Sequence, residues 1–513
     1  MYAKAENKWL VAASVTTGAV MAAVDTSILN IATPHLRGVF SATTAEISWI
    51  STGYLLAVVI GMPLTGWLCS QFDRKNVCLG GLAVFIFASI LCGFATELGL
   101  LVAARILQGL GAGVLLPVEQ VILRQAFPPK EHGLAMGLYG VTVMIGPTIA
   151  PLLGGLIIDN YHWSLIFFVN VPVGLAGVFM VHRFVQNKPA QGDPVVSIKP
   201  DWIGILLLAM ALFFLLWLLE RGERLDWFET QSNVWLLVVS ISSFTLFCAH
   251  ELITKKPAVD LRILNNRAFS SAVFMSFVLG FVVSATLFVL PIYMQDVLGF
   301  SATHAGEALV PRALVMMIAF PLIGRLYNHV STKLLMAIGL ALGLFSAILM
   351  SKFTKVTGIH DIILPQILQG VAVSCILTPL STVALLHVAA DRLAAAAGLN
   401  AFSRQLGSSI GIAICSSLIS HFELVVRGAL IHHINWANPV LRDRFTGVIR
   451  YFYTKSINDY TTAMHQGFSQ LNSNVTKQVV VISYQKTFEW LAVAFIVMFI
   501  CLFFMKTKRH EYI

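Results

Sequence analysis

The sequence predicts an all-α polytopic membrane protein built as two six-helix bundles with two further helices inserted between them. Three observations carry this. Of the 513 residues, 57% are hydrophobic and only 12% charged, about half the charged share of a soluble domain. The mean hydropathy of +0.80 means more apolar surface than a water-facing fold can hide. Apolar runs long enough to cross a bilayer, about 20 residues each, recur along the whole chain.

Such bulk properties exclude a cytosolic enzyme and a secreted module. A net charge of +9 on a soluble protein would point to nucleic acid. Here the basic residues fall in short tracts between apolar stretches rather than on one patch, so nucleic acid is not an expected partner. Cys69, Cys78, Cys92, Cys248, Cys375, Cys415 and Cys501 lie in or beside apolar segments with no CxxC spacing. That pattern predicts neither a disulfide framework nor a metal site.

The fourteen predicted spans lie near 9–32, 46–67, 77–96, 100–123, 134–158, 164–185, 202–220, 233–251, 269–294, 306–326, 334–351, 361–386, 397–420 and 487–505. The first follows Lys4 and Lys8 as in a signal peptide, but its apolar run is too long and many spans follow, so it reads as a retained helix. Cytoplasmic loops hold an excess of Lys and Arg. With the N-terminus inside, Arg74, Lys75, Arg124, Lys130, Arg183, Lys255, Lys256, Arg325, Lys333, Lys506 and Arg509 are among the residues on the inner side, while the short outer loops hold only Arg37, Arg221, Arg224, Lys352 and Lys355. Both termini are therefore expected in the cytoplasm. Residues 421–486 form the longest polar segment, placed outside, and their mix of aliphatic, aromatic and polar residues predicts a folded helical hairpin rather than a disordered linker. Such a hairpin serves as a packed cap or as a docking site.

Internal repeats appear at nearly one offset. Ile106-Leu107-Gln108-Gly109 with Pro117 in span 4 is echoed by Ile367-Leu368-Gln369-Gly370 with Pro379 in span 12. Gly66 with Lys75 after span 2 is echoed by Gly324 with Lys333 after span 10. The chain thus divides into an N-terminal bundle over 1–186, two inserted helices with flanking loops over 187–268, and a C-terminal bundle over 269–513 that includes the 421–486 loop. Parallel repeats of this kind are a transporter architecture, with substrate bound near midplane at their interface.

Ionisable groups inside hydrocarbon are costly and default to functional candidates. Asp25 in span 1 and Arg105 in span 4 both lie roughly 8–10 Å below the outer end of their helices, at 1.5 Å per residue, so they can meet. Burial favours a neutral carboxyl and a nearby guanidinium favours a charged one, so moving the guanidinium would switch the proton on or off. A static ion pair is the alternative reading. Glu119, nearly four turns after Arg105 on a similar face, is a second proton site, a counter-charge for cationic substrates, or an acid reaching the inner interface. Glu307 and Arg312 at the outer start of span 10, and Arg404 in span 13, read as gating or structural groups.

Span 5 carries Gly140, Gly146-Pro147, Pro151 and Gly154-Gly155. Proline bends a helix and small residues admit a neighbour closely, so this spacing predicts a thin, bent, water-tight seam. Gly109-x-Gly111-x-Gly113 follows no strand and reads as packing rather than a phosphate loop, and His250-Glu251 lacks the second histidine of a zinc-protease pattern, where Thr254 stands. No nucleotide, protease or cofactor site remains, which leaves an ion gradient as the energy source.

With these motifs in hand, the chain resembles the major facilitator superfamily, and within it the fourteen-helix drug:proton antiporters of the EmrB/QacA type, over essentially its full length. The resemblance rests on Arg105 through Gly113, on the span 5 Gly-Pro series, and on Asp25-Thr26-Ser27-Ile28-Leu29-Asn30-Ile31-Ala32-Thr33-Pro34. It rests further on Trp163 with Phe168-Val169-Asn170-Val171-Pro172-Val173-Gly174, and on Asn400 through Arg404-Gln405-Leu406-Gly407. It implies that Arg105, Gln108 and Gly109 are linked to proton coupling, and that Gly140, Gly146, Pro147, Pro151, Gly154 and Gly155 mark an antiporter. Ser70 stands where the inner-loop motif after Gly66 usually has Asp, so either Asp73, beside Arg74 and Lys75, takes over the cytoplasmic latch or the latch is weak.

The expected function is proton-driven multidrug efflux from the inner membrane by alternating access, with lipophilic small molecules, protons and membrane lipid as partners. The resemblance adds a periplasmic adaptor (membrane fusion) protein and an outer-membrane channel. A dedicated exporter of one metabolite, such as a fatty acid or siderophore, is the rival within transporters. A receptor or scaffold working through 421–486 is the rival outside them, and no catalytic constellation speaks for an enzyme.

Overall fold

The computed structural model describes residues 8–186, 201–222, 227–254, 257–386, 388–389, 392–432, 434, 439–455 and 459–504. Lys4, Arg224, Lys255, Lys256, Lys506 and Arg509 lie outside the described residues, as do the side chains of Asn30, Pro147, Pro151 and Arg221.

The described residues are helical with no strand, as hydrocarbon requires of a chain that must satisfy its own backbone groups. The first half comprises α1 (Lys8–Val39), α2 (Thr44–Ile47), α3 (Trp49–Gln71), α4 (Arg74–Gly93), α5 (Leu98–Ala126), α6 (His132–Asn160), α7 (Leu165–Phe168) and α8 (Asn170–Phe184). Two helices follow, α9 (Trp202–Arg221) and α10 (Gln231–Ile253). The second half comprises α11 (Arg267–Asp296), α12 (Ala302–Glu307), α13 (Val310–Leu326), α14 (Thr332–Met350), α15 (Ile359–Leu386), α16 (Leu393–His432), α17 (Pro439–Lys455) and α18 (Tyr460–Phe504). Thirteen helical stretches among the described residues are long and apolar enough to cross a membrane. Helix α6, continuous over 29 residues, stands where span 5 was expected.

Short polar signals set the helix starts. Thr43 and Glu46 form a reciprocal capping box at α2, Asp201 accepts from the Gly204 amide at α9, and Asn266 and Ser331 cap α11 and α14. Helices α9 and α10 pair through Ser240 Oγ donating to Ala211 O at 2.9 Å and lean on α3 through Trp49 and Trp217, with ring centroids 5.0 Å apart. Their outer faces, including Trp202, Trp235 and Ile241, are exposed, as suits helices facing lipid.

Glycines set how closely the bundle helices approach. A Cβ at Gly109 would stand 2.4 Å from Tyr54 O, one at Gly111 2.9 Å from Gly81 O, and one at Gly113 2.4 Å from Val58 O. The GxGxG run thus seats α5 between α3 and α4, a packing device in a membrane helix.

The same device joins the two repeats. Gly66 meets Ala395, Gly398 meets Met62 O, Gly133 and Gly324 meet backbone to backbone, and Gly137 and Gly140 meet Phe320. All of these lie toward the end of the bundle that carries Lys75, Lys130 and Lys333, called here the basic end. Asn328 Nδ2 donates to Lys130 O across the same junction, and Arg124 donates to Leu385 O. Of the span 5 series, Gly146 presses on the Ala23 backbone of α1, while nothing lies within 4 Å of a Cβ at Gly155.

At the opposite end the chain rises beyond any bilayer. Helix α16 has 40 residues and α18 has 45, about 60 and 68 Å at 1.5 Å per residue, twice the hydrocarbon thickness of about 30 Å. Residues 421–486 are therefore largely extensions of these two helices, with the amphipathic α17 laid against α18. Arg427 clips the extensions together through Asn472 Oδ1 at 2.9 Å, and Phe445 packs on Phe468 with centroids 4.8 Å apart.

Gly109→Val is expected to destabilise the protein by about 1–3 kcal/mol, the usual penalty of overpacking, lowering the melting temperature in detergent. Gly155→Ala should leave it unchanged. Equal melting of both variants would show that the helix approach at Gly109 does not limit stability.

Candidate functional site

Asp25 and Arg105 meet in the interior. Arg105 Nη1 lies 2.6 Å from Asp25 Oδ2, with both side chains essentially sealed from solvent. The pair joins α1 to α5 and sits inside a closed polar network. Gln108, one turn after Arg105, accepts from Arg105 Nη1 at 2.6 Å and donates to Asp25 Oδ1 at 3.0 Å and Ser89 Oγ at 2.8 Å. Asn170, at the start of α8, donates to Asp25 Oδ1 at 2.7 Å. Three side chains from α5 and α8, those of Arg105, Gln108 and Asn170, therefore converge on the one carboxylate of α1, with Ser89 of α4 accepting from Gln108 behind them.

The guanidinium has further support. Its Nε donates to Ile50 O of α3 at 3.4 Å, and its plane lies 4.5 Å from the Tyr54 ring centroid and 5.6 Å from that of Phe167. Aromatic faces stabilise a cation that has left water. One nitrogen, Nη2, has no hydrogen-bond partner among the described residues. A pair this dehydrated survives only because nearly every lone pair and proton is engaged.

Glu119 lies in the same α1–α5 interface but does not join that network. Its Oε2 accepts from the Ala19 amide at 3.1 Å, its Oε1 has no hydrogen-bond partner among the described residues, and the residue is fully buried. Gly18 leaves the space it needs, since a Cβ there would stand 2.2 Å from Oε1. Gly18 is seven residues before Asp25, two turns and about 10 Å along one face of α1. The two carboxyls thus line one seam, one held by a guanidinium and one facing no cation among the described residues. Tyr139 of α6 lies beside Glu119, Gln120 and, from the other half, Arg404. Arg404 is half-buried, so this cluster bridges the repeats near their centre.

The remaining candidates fall into two groups. Gly66, Gly109, Gly140 and Gly146 are close-approach positions, as described, and Gly154 is buried. Lys75 Nζ donates to His182 O at 2.6 Å, tying α4 to α8. Asp73 precedes α4 without a capping bond and forms no ion pair among the described residues, so the basic end is closed by glycine contacts and by Arg124, not by an Asp73 latch. Arg74 lies beside it at the start of α4, and Pro34 is accommodated within α1. Glu307 ends the short α12 and is exposed, whereas Arg312 is buried and bonds Gln369 Oε1 at 3.2 Å. The two are close in sequence but make no pair.

Asn170, Ser89 and Tyr54 were not among the predicted site residues. Asn170 carried a usable signal, an amide at the head of an apolar span. Ser89 and Tyr54 carried none, because a lone hydroxyl in a membrane helix commonly bonds its own backbone.

Residues 15–412 match the model of the Major Facilitator Superfamily. The chain belongs to this superfamily. It is 31% identical over 501 residues, 96% of this chain and 94% of the relative, to the fatty acid resistance protein FarB of Neisseria gonorrhoeae. It is 32% identical over 430 residues, 82% of this chain and 81% of the relative, to the multidrug export protein EmrB of Escherichia coli K12. In shape it is similar to the human organic anion transporter MFSD10, with a TM-score of 0.63 at 13% identity, covering 96% of this chain and 99% of that one. At that identity the likeness speaks for the fold alone.

Breaking a buried pair by removing one partner costs about 3–5 kcal/mol, whereas removing both is far milder. Arg105→Met alone should therefore lower the melting temperature more than the double variant Asp25→Asn with Arg105→Met. If the double variant loses as much as the sum of the single ones, the pair does not act as a unit.

Proposed function

We propose that this protein is a proton-driven multidrug exporter of the inner membrane, working by alternating access. The observation that carries the reading is the buried Asp25–Arg105 pair inside a polar network that opens onto no solvent, with a second unpaired carboxyl, Glu119, on the same seam. A carboxylate reached only when helices move is a proton carrier gated by conformation. In this reading Asp25 is the group that exchanges a proton as the helices move between the two states. Both curated relatives named above are resistance or export proteins, which supports export as the direction of transport.

We read the basic end, and with it both termini, as cytoplasmic, a reading supported by the excess of Lys and Arg there. With its glycine contacts closed there, the conformation is outward-facing. Substrate enters from the cytoplasm or inner leaflet when these contacts part, occupies the centre near Tyr139 and Arg404, and leaves at the opposite end. The helical extensions of α16 and α18 then stand in the periplasm. Exposed Leu424 and Val425 of α16, Tyr451 of α17 and Tyr460 of α18 form the surface on which a periplasmic adaptor would dock, and through it an outer-membrane channel.

Dedicated export of one class, fatty acids, is the second reading, favoured by the relationship to FarB. Cells supplied with this protein should keep out a structurally mixed panel of lipophilic dyes and antibiotics, and collapse of the proton gradient should abolish that. Glu119→Gln should reduce efflux severalfold. Protection against fatty acids alone would replace the first reading with the second. A silent Asp25→Asn together with total loss on removing α17 would contradict transport in favour of a scaffold.

A further inference from the structure

Superposing the two repeats by their shared Ile-Leu-Gln-Gly run sets Gln369 against Gln108 and Gln366 against Arg105. The bonds agree with this register. Gln108 donates to Asp25, and Gln369 donates to Thr286 Oγ1 at 3.0 Å, at the same spacing of 261 residues, from Asp25 to Thr286 and from Gln108 to Gln369. The second half therefore repeats the frame of the Asp25 network with its carboxylate replaced by a hydroxyl and its guanidinium by an amide.

A cation is nevertheless present. Arg312 reaches this frame from α13 and is only 4% exposed. Among the described residues its one hydrogen bond to another side chain runs from Nη1 to Gln369 Oε1 at 3.2 Å, although a guanidinium has five N–H donors. No acidic residue of α11 to α18 is buried among the described residues. Gln366 is fully buried with neither its Oε1 nor its Nε2 partnered among the described residues. It lies one turn before Gly370 on the face of α15 that packs against the Arg312 backbone, where a Gly370 Cβ would be 2.9 Å from Arg312 O. A buried cation with no carboxylate beside it and a buried amide with neither atom bonded are both costly, and a bound anion would relieve both.

The flank of the site is apolar. Met316, Phe320 and Val373 form a buried cluster along α13 and α15, joined by Val141 of α6 from the other half. This cluster begins one turn from Arg312 and leads to the junction of the repeats.

We propose that Arg312, with Gln369 and Gln366, binds the carboxylate of an amphiphilic substrate whose hydrocarbon tail lies along Met316, Phe320 and Val373. Arg312 supplies the charge that Asp25 neutralises in the other half, and the substrate supplies the missing anion in the paired geometry that guanidinium and carboxylate favour. This inference rests on the exporter reading and names a substrate class within it.

The test uses the full-length protein in phosphatidylcholine nanodiscs, titrated with decanoate and with decyltrimethylammonium. Decanoate should bind the wild type, and Arg312→Gln should weaken it by about tenfold or more while leaving decyltrimethylammonium within about twofold. Arg312→Lys should recover part of the loss. Thr286→Asp places a carboxylate beside Gln369 as in the first half, and it should abolish decanoate binding with no loss of melting temperature, which keeps the test informative if Arg312→Gln folds poorly. Unchanged decanoate affinity in Arg312→Gln and Thr286→Asp, or equal loss of both ligands, overturns the site. The proton-coupling reading is judged separately. Selective decanoate binding without substrate-linked proton movement in liposomes would leave the site standing and sink the coupling, and the reverse result would do the opposite.

Discussion

An ion pair with no access to water constrains the whole first half of this protein. Moving either charge of Asp25 and Arg105 out of water costs several kcal/mol even after the protein relaxes. The structure meets that cost by bringing Gln108 and Asn170 onto the carboxylate, with Ser89 accepting from Gln108, and Tyr54 and Phe167 onto the guanidinium. Four helices are pinned in register by one charge pair. The arrangement is stable only while all of its members stay in place, so a small displacement of α1 against α5 breaks several of these bonds at once.

That sensitivity gains meaning from the way the two repeats touch. They meet at the basic end through closely approached glycines, several against backbone (Met62 O, Phe320 O, Gly133 against Gly324) and others against the Ala395 methyl and the Phe320 ring. Such a junction is either closed or open. A ligand shifts the balance between the two states only by its difference in affinity for them, and moving it from 1:99 to 99:1 needs about 5.5 kcal/mol. Neutralising a buried carboxylate is an effect of that order. The Asp25 network and the glycine junction are therefore suited to act as two ends of one device, joined by α1, which carries Asp25 and Gly18 and receives Gly146 of α6 at Ala23.

Much of this was legible in the sequence. Asp25 and Arg105 stand out because a charge in a 20-residue apolar run needs a partner, and helix rise alone places them at one depth. The repeat was readable from Gln108 and Gln369, and the packing role of Gly109, Gly111 and Gly113 from their setting in a span. The fate of Arg312 was not. Sequence proximity suggests Glu307 as its neighbour, but a helix break at Ala308 separates them and leaves Glu307 on the surface. Nor does hydropathy show that 421–486 continues α16 and α18, since those extensions turn polar as soon as they leave the bilayer, and span counting stops there. Gln366 shows its interest only when superposition sets it on Arg105.

Proton binding at Asp25 during transport is the central claim, and it is tested most directly in liposomes that hold the purified protein and an entrapped pH dye. Adding a transported compound to the wild type should move protons in proportion to the compound moved, and Asp25→Asn should bind the compound but move no protons. Proton movement of normal size in Asp25→Asn would contradict the claim and shift the coupling to Glu119 or elsewhere.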